Sequence, residues 1–125
     1  MSDALREMVE DFAELFYRQR QPRLAFEKHV AVDYIQHSPK LADGREAALA
    51  MLEPLFGGEG ARFDVLRIIV EDPYAVIHLH GRPDSQGPGV AVADIYRIEN
   101  GKIVEHWDVI QPVPGDSPNP RSMIA

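Results

Sequence analysis

Residues 89–114 constrain this chain more than any other stretch. Two apolar-rich runs flank the tetrad Glu99-Asn100-Gly101-Lys102. Asn-Gly between such runs is the strongest short-range hairpin signal a sequence offers, because tight hairpin turns need backbone conformations these two residues tolerate. The hairpin carries unusual cargo. Asp94 sits in its first strand, and His106, Trp107 and Asp108 sit in its second, interleaved with Val, Ile and Ala. The turn decides which face they occupy. A two-residue Asn-Gly loop pairs Glu99 with Lys102 and sets Asp94 opposite Trp107. A type I turn with Gly101 left-handed in a G1 bulge pairs Ile98 with Lys102 and sets Asp94 opposite His106. Residue chemistry favours the second register. One face then holds Val92, Asp94, Tyr96, Val104, His106, Asp108 and Ile110, gathering acid, base and aromatic groups. The other holds Ala91, Ala93, Ile95, Arg97, Ile103, Glu105, Trp107 and Val109. A one-residue slip would exchange the two faces.

The preceding chain supplies helices first and strands second. Leu5, Met8, Val9, Phe12, Leu15 and Phe16 form one stripe at helical spacing, so residues 3–19 are expected to be an amphipathic helix capped by Ser2 or Asp3. Gln21-Pro22 interrupts it, and Pro22 suits the first turn of a second helix reaching Val30. Val32–Ser38 looks extended, with Tyr34, Gln36 and Ser38 alternating against Ile35 and His37. Asp43 and Glu46 suggest a capping box opening a third helix, disturbed late by Pro54 and stopped by Gly57-Gly58. Strands are expected over Arg62–Glu71 and Tyr74–Arg82, ahead of the hairpin. The chain therefore reads as one α+β domain over residues 1–125, with helices packed on one side of a curved, mainly antiparallel sheet and a proline-rich tail from Pro112.

Composition narrows the classes of function. A net charge of -7 offers no basic footprint for nucleic acid or an anionic membrane. The absence of cysteine excludes disulfides, zinc–thiolate sites and thiol nucleophiles. The first residues lack the basic-then-apolar pattern of a secretory signal, and no apolar run reaches membrane-spanning length, so a cytoplasmic location is expected.

Three segments carry a resemblance: YIQHSP at Tyr34–Pro39, DGREA at Asp43–Ala47, and DIYRIENGKIVEHWDVIQPVP at Asp94–Pro114. Together they resemble the SnoaL-like, polyketide cyclase-like branch of the nuclear-transport-factor-2-like superfamily. The resemblance implies a cone in which the bent sheet wraps the long first helix around a blind apolar pocket. It also implies homodimers joined through their sheets, no cofactor and no metal. Its catalytic members include aldol-type polyketide cyclases and, more distantly, ketosteroid isomerase, scytalone dehydratase and limonene epoxide hydrolase. Other members only bind or assemble, so fold alone does not settle function.

Candidate residues follow from both lines. Asp108 lies where the similar cyclases place an acid/base aspartate, and a carboxyl group between Trp107 and Val109 suits proton transfer when desolvated. Asp94 falls near the isomerase's oxyanion-hole aspartate and could instead orient His106, its expected cross-strand partner. The isomerase's own base has no aspartate counterpart here; His37 lies nearest and is a second candidate base. Tyr34 could donate to a carbonyl, and Tyr96, Trp107 and Phe16 could wall the pocket. His78 and His80 share a strand face and could together reach a metal. Without a helical HxxxH pattern they read as sheet-face or dimer-interface residues, with His78 kept as a possible ligand contact. The expected function is a cofactor-independent enzyme that removes a proton next to the carbonyl of a small apolar or aromatic compound, by aldol cyclisation or isomerisation. The alternatives are a non-catalytic small-molecule-binding protein and a water-activating hydrolase or dehydratase; the hydrolase relatives use an Asp-Arg-Asp cluster for which no inward arginine is evident.

Overall fold

The computed structural model describes residues 2–124. Helix α1 (Ser2–Ala13) buries Val9 and Phe12 of the expected stripe, and Ala13 beside them. At Glu14–Arg18 it widens into a π-helical turn that buries both Phe16 and Tyr17. A wider turn rotates the residues after it relative to a 3.6-residue repeat, which brings Tyr17 inward although it lies off the sequence stripe. Helix α2 (Pro22–His29) begins on Pro22 and runs into strand β1 (Val30–Gln36). Helix α3 (Arg45–Phe56) contains Pro54 and ends at Gly57.

The capping box expected at Asp43 does not form. Gly44 is the N-cap, with φ 94° and no side-chain cap. Asp43 Oδ1 instead accepts the Gln36 backbone N–H at 2.8 Å, because the left-handed glycine turns the preceding residue back onto β1. The Gly44 N–H completes this tie by donating to the Tyr34 carbonyl at 3.0 Å.

Strands β2 (Arg62–Glu71), β3 (Tyr74–Arg82), β4 (Val90–Glu99) and β5 (Lys102–Pro112) form an antiparallel meander. β1 joins parallel to β5, giving the order β1-β5-β4-β3-β2. Irregularities interrupt the β1–β5, β2–β3 and β4–β5 ladders and bend the sheet. Its concave face presents Ile77, Leu79, Tyr96, Ile98 and Ile103 to Val9, Phe12, Phe16 and Tyr17 of the helix. The fold class is thus the expected one: three helices against a curved, open sheet. Among the described residues no helix is long and apolar enough to cross a membrane.

The hairpin register differs from the expected one. Asn100 and Gly101 adopt φ values of 52° and 75°, a two-residue turn that pairs Glu99 with Lys102. One strand-pair later the ladder slips, with Ile98 facing Ile103 but Arg97 facing Glu105, so Val104 is the extra residue of a bulge. Beyond the bulge Tyr96 faces His106 and Asp94 faces Asp108. This register is two residues away from the G1-bulge register, and an even shift keeps side chains on the same face. Asp94, Tyr96, His106 and Asp108 therefore do share the concave face. Only the residues next to the turn change: Ile103, expected outside, is buried within, and Val104 gives up that place.

Phe12 is fully buried, with ring centroids 5.3 Å from Phe16, 5.9 Å from Phe26 and 5.2 Å from Tyr96. It joins both early helices to the sheet. Phe12→Ala is expected to lower the unfolding free energy by about 3–5 kcal/mol, the range for emptying a packed aromatic site, measured by urea denaturation.

Candidate functional site

A cavity of about 140 Å³ opens between the concave sheet face and the helices. Its walls are apolar, with Phe16, Phe26, Leu52, Phe56, Phe63 and Leu79 prominent. Phe56 stacks between Phe16 and Phe63, at centroid distances of 4.4 Å and 3.9 Å. One wall is different: Tyr34 from β1, Asp94 and Tyr96 from β4, and His106 and Asp108 from β5 all face the cavity there.

Asp94 and His106 are buried, and buried polar groups need partners. Asp94 Oδ1 meets His106 Nε2 at 2.8 Å, and Asp94 Oδ2 accepts the Tyr17 hydroxyl at 2.5 Å. The Tyr17 and Tyr96 oxygens lie 2.6 Å apart. On the other side of the imidazole, Nδ1 lies 2.7 Å from Gln36 Oε1. Parallel pairing of β1 with β5 sets Gln36 directly beside His106. The Gln36 amide nitrogen donates to the Tyr34 hydroxyl at 2.9 Å, so a continuous chain of hydrogen bonds runs from Tyr96 to Tyr34. Tyr96 also stacks on His106, its cross-strand neighbour, at 4.9 Å.

Asp108 is the exception on this wall. It is half-buried and lines the cavity, yet no described side chain or backbone group bonds its carboxylate. Ligand atoms of Asp94, His106 and Asp108 lie within 4.8 Å of one another, a spacing that could be drawn in around a metal ion. However, both ring nitrogens of His106 and both oxygens of Asp94 are already engaged. A metal would have to displace those bonds, and only Asp108 offers uncommitted atoms.

Burial holds three tyrosines in the neutral form. It raises the Tyr17 hydroxyl well above its ordinary range, reinforced by the neighbouring Asp94 charge. Burial acts likewise on Tyr96, again with Asp94 adding to it. Tyr34 is raised chiefly by burial, partly offset by its hydrogen bond from Gln36.

The cavity thus brings together six of the residues singled out in the sequence: Asp94, His106, Asp108, Tyr34, Tyr96 and Phe16. His37, Trp107 and His78 lie elsewhere, on the convex face. Strand alternation is the reason, since each sits between two inward neighbours. The His37 ring stacks on Trp107 with centroids 4.8 Å apart and planes within 2°, while its Nε2–H donates to Glu105 Oε2 at 2.7 Å. His78 Nδ1 accepts from Arg67 at 2.6 Å, and His80 Nε2–H donates to the Pro88 carbonyl at 2.6 Å. Two residues of the polar wall escaped the sequence reading. Gln36 was visible as the neighbour of Tyr34 in the alternation of β1, whereas Tyr17 gave no signal beyond following Phe16.

A family model for the SnoaL-like domain matches residues 9–106. No curated protein matches the chain in sequence. Among solved structures, a nuclear-transport-factor-2-like protein of unknown function from Mesorhizobium loti superposes with a TM-score of 0.75 at 22% identity, covering 88% of this chain and 93% of that one. TsrD from Streptomyces laurentii gives 0.67 at 23% identity, covering 88% and 90%. A protein from Acidithiobacillus ferrooxidans proposed to be a polyketide cyclase gives 0.66 at 15% identity, covering 88% and 89%. At these identities the likeness is one of fold.

The tyrosine shifts set an alkaline limit on stability. The folded chain keeps Tyr17, Tyr34 and Tyr96 protonated beyond the pH, about 10, at which an unfolded tyrosine ionises. Their contribution is full below about pH 10 and is lost as pH rises from there toward the folded-state values. Urea midpoints are expected to fall between about pH 9 and about pH 11, and less steeply in Tyr96→Phe. A wild-type midpoint that stays constant over that interval contradicts the assignment.

Proposed function

The chain belongs to the SnoaL-like domain family, and we propose that it is a cofactor-independent enzyme that removes a proton beside the carbonyl of a small apolar or aromatic compound. Aldol cyclisation and isomerisation both begin with such a step. The observation that carries this proposal is Asp108: a carboxylate without a protein partner, facing an apolar cavity, beside a fully hydrogen-bonded Asp94–His106 pair. Asp108 takes the role of base. The Tyr34 hydroxyl lies on the same wall and serves as donor to the developing enolate oxygen. Asp94 and His106 form the polar backing, held in place by Tyr17 and Gln36. Of the two candidate bases Asp108 is the one kept, because His37 stacks on Trp107 and faces away from the cavity. The structural neighbour proposed to be a polyketide cyclase supports this class of chemistry. No arginine stands among the described residues of the cavity wall, so the Asp-Arg-Asp arrangement of a water-activating hydrolase finds no support.

Pairing of two copies through the convex sheet face is part of the same proposal. It is supported by Ile69 and Val109, which are 56% and 65% exposed there. Sedimentation velocity should show a dimer, and Val109→Glu should shift it toward monomer.

Hydrogen–deuterium exchange of 2-tetralone in deuterated water tests the chemistry. Asp108→Asn is expected to slow exchange by at least about 100-fold, the lower end of what a positioned base contributes, while His37→Ala stays within about twofold of wild type. Exchange no faster than background across a panel of enolisable ketones would leave a protein that binds its ligand without turning it over.

A further inference from the structure

The hydrogen bonds on the polar wall can be assigned one by one. Gln36 Oε1 accepts the Ser38 backbone N–H at 2.9 Å, and Gln36 Nε2 donates to Tyr34, so the neighbours fix the orientation of the amide. His106 Nδ1 must then carry a hydrogen to reach Oε1 at 2.7 Å. Tyr17 gives its hydrogen to Asp94 Oδ2, which leaves Tyr96 as donor in the contact between the two phenols. The contact between His106 Nε2 and Asp94 Oδ1 holds one hydrogen. Whichever atom that hydrogen sits on, Asp94 and His106 together carry no net charge.

Two groups are left over. The Tyr34 hydroxyl accepts from Gln36, but its own hydrogen has no acceptor among the described residues. The Asp108 carboxylate has no donor among them either, and no lysine or arginine lines the cavity to balance its charge. The wall therefore offers a ligand one unused donor and one unused anionic acceptor. The cavity volume of about 140 Å³ corresponds to about five water molecules at ~30 Å³ each, room for one aromatic ring with a second reaching toward the opening.

We propose that the cavity selects uncharged ligands that pair an acceptor oxygen with an acidic hydrogen, the class of enolisable ketones, 1,3-dicarbonyls and phenolic ketones, and that it rejects carboxylates of the same shape. The oxygen takes the Tyr34 hydrogen and the acidic hydrogen meets Asp108. A carboxylate would set a second negative charge beside Asp108 with no uncompensated cation among the described residues of the wall to offset it, and at contact distance inside a protein that repulsion outweighs the hydrogen bond gained from Tyr34. The proposal rests on the reading of this cavity as the ligand site, but not on turnover.

Calorimetric titration at about pH 8, where the acid probe is fully ionised, tests it with three probes sharing one skeleton: 2-tetralone, tetralin-2-carboxylate and tetralin. The ketone is expected to bind about tenfold tighter than the hydrocarbon and at least about 100-fold tighter than the carboxylate. Asp108→Asn should narrow the gap between ketone and carboxylate to below about tenfold. Tyr34→Phe should erase the ketone's advantage over tetralin. Circular dichroism confirms that both variants are folded. The proposal is overturned if the carboxylate binds wild type within about threefold of the ketone, if the gap is unchanged in Asp108→Asn, or if the ketone's advantage survives Tyr34→Phe. Ketone preference without proton exchange would sink the enzymatic reading alone. Carboxylate binding alongside intact exchange would sink the selectivity alone.

Discussion

The contact between Asp94 and His106 sets conditions that the rest of the structure meets. Both side chains are buried, and a buried acid or imidazole left unpaired costs several kcal/mol. The Tyr17 hydroxyl reaches Asp94 through the π-helical turn at the end of α1, and Gln36 reaches His106 through the parallel edge strand β1. An uninterrupted helix would leave Tyr17 off the buried stripe, and an antiparallel or unpaired β1 would not set Gln36 beside the imidazole. Two departures from regular structure, a widened turn and a parallel edge strand in an otherwise antiparallel sheet, thus serve one buried pair.

The hairpin shows what a sequence can and cannot specify about such a site. Alternation makes the sharing of a face robust, because every register of the same parity places Asp94, Tyr96, His106 and Asp108 together. The identity of the facing partner is not robust. The Asn100-Gly101 turn and the Val104 bulge each contribute an offset of one, and only their sum appears beyond the bulge. Nothing in Ile103-Val104-Glu105 marks which residue is the extra one, since two β-branched residues in a row fit either face. The constellation was therefore legible, whereas the pairing of Asp94 with Asp108 rather than His106 was not.

The same alternation explains which candidates fell outside the cavity. Tyr34 and Gln36 share a parity in β1 that excludes His37. Likewise His106 and Asp108 exclude Trp107, and Ile77 and Leu79 exclude His78. Residue type argued for His37 as a base, for His78 as a ligand contact and for Trp107 as pocket wall, and strand period argued against all three; period prevailed because each strand has one face packed on the helices. Tyr17 was illegible for the opposite reason. Its inward placement depends on a local change of helical period that no composition or spacing in Glu14–Arg18 announces. The helices, strand limits and fold class were legible because they rest on long periodic runs and on Gly and Pro at their ends. The Asp43 capping box failed where a single glycine conformation overrode a two-residue pattern.

The two faces of β5 also differ in what their charges do. On the convex side Glu105 joins His37 at 2.7 Å and Arg97 at 2.8 Å, and the hydrogen bond from His37, followed by that from Arg97, holds its carboxyl below the usual range. His37 is 42% exposed, so water competes for these groups and the network adds little to stability. Its acid residue spends its valences on neighbours and has none left for a ligand. One residue further along the strand pattern, the concave side inverts that arrangement. Asp94 and His106 satisfy each other and their neighbours completely, so neither has a hydrogen bond to spare for Asp108. Asp108 thus stands unpaired beside a pair that is already satisfied. The Tyr34 hydroxyl on the same wall does not bond it either, so the carboxylate stays open toward the cavity.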